Sequence, residues 1–74
     1  MKLPEEWTAE ASRILKSELK RRGVKYSELT DRLAQIGVHE NERNVRNKVS
    51  RGSFSAVFLL QCLRAIGSEQ LRLD

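Results

Sequence analysis

The chain has 74 residues, with 14 Lys and Arg against 10 Asp and Glu, a net charge of +4, and 39% hydrophobic side chains. That is room for one domain, residues 1–74, and for no second core, because a chain this short buries only about 60% of its unfolded surface. The positive balance favours an anionic partner, and the single cysteine, Cys62, excludes an internal disulfide and fits a reduced, cytoplasmic setting.

The first helix is expected at about 4–22. Pro4 suits the first helical position, and Glu5 and Glu6 suit the positive end of the helix dipole, where a secretion signal would need an apolar run. Trp7, Ala11, Ile14, Leu15 and Leu19 recur at helical spacing, and Gly23 ends the pattern. Trp7 is read either as core or as an interface residue. Lys20, Arg21 and Arg22 fall in the last turn, where cations stabilise the negative end of the dipole; contact with a DNA backbone is a second use for them.

A second helix is expected at about 26–36, with Leu29, Leu33 and Ile36 on one side and Gly37 closing it. Lys25 stands where a capping side chain would be welcome. Val38 reads as a turn residue pinned into the core, and Asn41 as the cap of a third helix over 41–51.

That third helix is the most informative stretch. Its only apolar residues are Val45 and Val49, a narrow stripe at a spacing of four. At about 100° per residue, Arg43, Asn47, Ser50 and Arg51 lie roughly opposite the valines, with Asn44 and Arg46 on the flanks. From Arg43 to Arg51 there are four cations, two asparagines and no acid, so the donors are expected to stand without counter-ions. Such a face is either a solvated basic surface or equipment for phosphates and base edges.

A fourth helix is expected at about 54–66, capped by Ser53 and ended by Gly67. It is apolar nearly all the way round, which predicts burial and makes it the surface on which the other three pack. Cys62 then reads as a small buried hydrophobe. The longest apolar run, Ala56 to Leu60, is too short to span a bilayer. Residues 68–73 are expected to add a short turn, with Leu71 and Leu73 packing back. No strand-like alternation occurs, so the fold class is all-α, a compact bundle of four to five short helices.

One histidine, one cysteine and scattered carboxylates offer no catalytic constellation, and there is no glycine-rich phosphate loop or metal-ligand spacing. The expectation is a non-enzyme with no cofactor and no metal, and His39 reads as a turn or surface residue. Glu5, Glu6, Glu10 and Glu18 on the first helix count against a membrane-surface role.

Taken together, the second and third helices resemble the helix-turn-helix of the Cro/repressor-type family. The likeness runs from Val24 through Gly67: Tyr26 to Leu33 looks like the first motif helix, Asn41 to Arg51 like the recognition helix, Val49-Ser50-Arg51-Gly52 like the segment that closes it, and Phe54 to Gly67 like the packing helix that follows. The turn after Leu33 is longer than is usual in that family, and Lys25 replaces the usual capping hydroxyl. The chain also looks like a group of small bacterial proteins of unknown function, marked by Asn-Val-Arg-Asn-Lys-Val-Ser-Arg-Gly-Ser-Phe at 44–54.

The resemblance implies a small bacterial or phage transcriptional regulator bound to double-stranded DNA. Arg43, Arg46, Asn47 and Ser50 would then face base edges, while Tyr26, Ser27, Asn44, Lys48 and Arg51 would take phosphates. A homodimer is expected on grounds of contact area, with the first helix as its interface. The alternative is a non-catalytic interaction module whose basic face binds an acidic protein partner.

Overall fold

The computed structural model describes residues 1–73 and contains four helices: α1 (Pro4–Arg21), α2 (Tyr26–Gln35), α3 (Glu42–Arg51) and α4 (Ala56–Ala65). No strand occurs among the described residues, and the fold is all-α. No helix in them is long and apolar enough to cross a membrane.

Three of the four helices begin for a local reason. Pro4 opens α1, with Glu5 and Glu6 in its first turn. Lys25 precedes α2 and offers no side-chain cap, whereas the Asn41 side chain accepts a 2.8 Å hydrogen bond from the Asn44 N–H at the start of α3. At α4 the cap is Ser55, whose hydroxyl accepts from the Phe58 N–H at 3.0 Å, and not Ser53. The later start keeps Phe54 out of the helix, so that its ring packs on Phe58 with centroids 6.0 Å apart.

Leu15 and Leu19 of α1, Leu29 and Leu33 of α2, Val45 and Val49 of α3, and Phe58 and Cys62 of α4 form one core, with Val24 and Ile66 from the connections. Val38 packs against it from the α2–α3 turn, as its sequence position implied. The expectation that α4 would be the common packing surface does not hold. The principal helix contacts are α1 with α3, α2 with α3, and α2 with α4. Val57 and Leu60 on the far side of α4 are exposed, because among the described residues α4 packs chiefly on α2 with its other face uncovered.

Trp7 is exposed rather than core, with the Lys2 ammonium 4.5 Å above its ring. Residues 68–73 form no helical turn; Leu71 is half-buried and Leu73 exposed.

The end of α4 is held by the other helices. Arg22 reaches the Ile66 carbonyl at 3.4 Å and Arg32 reaches that of Ala65 at 3.5 Å, long bonds to carbonyls that the helix itself leaves unpaired. Glu18, counted from the sequence among the acids that argue against a membrane-surface role, is only 3% exposed. It accepts hydrogen bonds from Arg21 (2.5 Å), Arg22 (3.1 Å) and the Ser68 hydroxyl (3.0 Å), so it fastens α1 to the segment after α4.

The backbones of α1 and the end of α3 approach closely. Gly52 caps α3 in the left-handed region at φ +73°, and a Cβ placed there would lie 1.7 Å from the Thr8 carbonyl oxygen. The backbone of α1 rests directly on that glycine.

Candidate nucleic-acid interface

With both α1 and α2 packed on it, α3 has its two valines fully buried and every polar side chain from Arg43 to Arg51 exposed. The valine stripe read from the sequence is therefore the anchor of the helix. Helical geometry then divides the remaining surface into three. The outward ridge carries Arg43, Asn47 and Arg51, and neither arginine forms an ion pair among the described residues.

The flank toward α1 and the start of α2 carries Arg46 and Ser50. Arg46 pairs with Glu42 at 2.7 Å and lies 5.4 Å over the Tyr26 ring. Tyr26, half-buried beneath it, is therefore already in contact with a guanidinium, while Ser27 beside it is exposed. Ser50 sits across from Ala9, Ser12 and Arg13 of α1.

The opposite flank carries Asn44 and Lys48. Lys48 pairs with Glu40 at 2.6 Å and stands 5.1 Å over the Phe58 ring. The Lys48 hydrogen bond outweighs partial burial and holds the Glu40 carboxyl below its ordinary range. The expected absence of counter-ions is thus corrected for two of the four cations. Glu40 and Glu42 lie just outside the acid-free stretch, yet helix and turn bring them back onto Arg46 and Lys48.

Cys62 lies beneath this flank and is fully buried. Burial pushes its thiol up to about 12 against the opposing charge of Lys48, so it stays protonated and behaves as a core side chain. His39 is exposed in the α2–α3 turn.

Two residues were not singled out from the sequence, Arg13 and Lys16, and they join Lys20 of the basic cluster that was. Arg13, Lys16 and Lys20 follow each other at three and four along α1, and they border a crevice of about 420 Å³ against Ser50. Lys16 and Lys20 also border a second cavity of about 530 Å³ that reaches Lys25, Ser27 and Arg46. The spacing was legible; the neighbouring helix was not.

The geometry defines a four-helix domain whose most polar helix is anchored by two valines and exposes a cationic ridge. The chain belongs to the family described as a domain of unknown function, DUF6471, whose model matches residues 7–71. No curated protein and no solved structure matches it.

Proposed function

We propose that this chain is a DNA-binding helix-turn-helix protein, a small transcriptional regulator that reads the major groove with α3. The observation that carries this reading is the outward ridge of α3, where Arg43, Asn47 and Arg51 are exposed while Val45 and Val49 are 0% exposed. A helix fixed so firmly by one side and so free of acids on the other is suited to enter a groove. The packing of α2 on α3 is compatible with a helix-turn-helix, and the Cro/repressor-like pattern over residues 24–67 supports the same reading.

Arg43 and Asn47 supply the bidentate donors that distinguish guanine and adenine, each good pair discriminating by about 1–3 kcal/mol. Arg46 and Ser50 read from the α1 flank. Lys48, Arg51, Asn44 and Ser27 meet phosphates, and Tyr26 supports Arg46 from below. A dimer would double the contacts that a domain of this size makes.

The test is selection from a random double-stranded DNA pool by the wild type, by Arg43→Ala/Asn47→Ala and by Lys48→Ala/Arg51→Ala. The first variant is expected to lose the enriched sequence, and the second to bind all sequences more weakly while keeping its preference. Equal, unselective losses in both would remove the division of roles. A folded wild type that binds no DNA at low salt would assign the ridge to an acidic protein partner instead.

A further inference from the structure

We infer that the crevice between α1 and α3 is a second contact surface for double-stranded DNA, in which Arg13, Lys16 and Lys20 hold the phosphate backbone beside the groove that α3 enters. This rests on the DNA-binding reading of α3 and extends it to a helix outside the motif.

Three observations converge. The first is register. Arg13, Lys16 and Lys20 share one strip of α1, whereas Arg21 and Arg22, next in the chain, turn onto Glu18. The basic cluster at the end of α1 is therefore split: two arginines tie the fold together and Lys20 joins the strip. From Arg13 to Lys20 the strip advances about 10 Å along the helix, the axial rise of about three nucleotides of one strand.

The second is the lack of neutralisation. None of the three forms an ion pair among the described residues, and the crevice they border with Ser50 contains no carboxylate. Lys16 and Lys20, four apart, repel one another on the helix. The positive potential raised in this crevice is open to relief by an external anion.

The third is the shape and position of the crevice. Between the cationic side chains it is lined by small residues, Ala9, Ser12 and Ser50, which leave room for a backbone to approach. At its other end Lys16 and Lys20 share the adjoining cavity with Lys25 and with Arg46 and its ion-pair partner Glu42, so the cationic strip of α1 leads onto the flank of the proposed reading helix. A polyanion with regularly spaced charges satisfies both ends; a single small anion satisfies one.

The test compares wild type, the triple variant Arg13→Ala/Lys16→Ala/Lys20→Ala and the control Arg64→Ala/Arg72→Ala, whose cations lie outside the crevice. Circular dichroism first establishes that all three are folded, which the exposure of the substituted side chains favours. Affinity for a random-sequence duplex is then measured between about 50 and about 200 mM salt. The triple variant is expected to bind about tenfold or more weakly at the lower salt, with a slope of log affinity against log salt shallower by about 2–3, close to 0.9 for each phosphate released. The control is expected to keep the wild-type slope. A wild-type slope in the triple variant overturns the inference, as does an equal loss in the control, which would reduce the effect to net charge. If the wild type binds without sequence preference and the triple variant still loses slope, the crevice stands and the reading role of α3 falls. If the folded wild type binds no DNA at all, both fall.

Discussion

Glu18 holds a negative charge at 3% exposure, where desolvation alone would favour the neutral acid. Burial does push its carboxyl upward, but the hydrogen bonds from Arg22 and Ser68 and the charges of Arg21 and Arg22 outweigh it, and the net displacement is downward. The sign sets the pH window. A carboxyl with a depressed value in the fold adds stability above its unfolded value, about 4.3 for glutamate, and that stability drains away as pH falls through the folded value. Glu18→Gln is accordingly expected to cost about 2 kcal/mol at neutral pH. The difference in melting temperature from wild type should be constant above about pH 5 and shrink below about pH 4. Parallel melting curves at every pH would show that the ionised carboxyl contributes nothing. The partners at i+3 and i+4 could be seen in the sequence. Ser68 could not, because fifty residues separate it from Glu18 and only the tertiary fold brings them together.

At the scale of the element, α3 was the most legible part of the chain and α4 the least. Two valines in a run of polar residues define a single buried stripe, and the cap and terminal glycine bracket it, so boundaries and facing follow from local chemistry. In α4 an all-round apolar surface carries no information about facing, and the chain fills only one side with neighbours. The charge state of α3 was only half readable: Glu42 sits four residues before Arg46, but Glu40 reaches Lys48 from eight residues away and from outside the helix. On the proposed DNA-binding reading, these acids hold two cations that the nucleic acid would otherwise engage, Arg46 at base edges and Lys48 at a phosphate. Glu40→Gln/Glu42→Gln is expected to tighten binding to a random duplex roughly three- to tenfold at about 50 mM salt. It should also lower helix stability slightly, since Glu42 favours the dipole by about 0.3–1 kcal/mol. Weaker binding by this variant, measured in the same titration, would mean that the acids themselves contact the nucleic acid.

In the whole molecule, the arrangement of α1 against α3 and of α2 between α3 and α4 was not written in any one segment. Amphipathic stripes state that a helix has a buried side; which partner covers it depends on packing between distant parts of the chain. The α1–α3 contact shows how specific that choice is. At Gly52 an alanine meets both the cost of a left-handed backbone, about 1–2 kcal/mol, and the backbone of Thr8, for which overpacking of about 1–3 kcal/mol is the relevant scale. Gly37, at φ +86° with no atom within 4 Å of an added Cβ, isolates the first effect alone. Urea denaturation is expected to show Gly52→Ala losing roughly twice the stability lost by Gly37→Ala or more, a large share of the total available to a domain of this size, about 4–11 kcal/mol. Equal losses would indicate that α1 moves aside without consequence.

Seen as inheritance, the contact at Gly52 ties the choice of one residue to the seating of α1. Any lineage that keeps α1 seated on the end of α3 is confined there to the one residue without a β-carbon, and a lineage that changes it must reseat α1. The strip of cations that α1 places beside α3 would move with it, so a single codon governs whether the two basic surfaces of this domain remain neighbours.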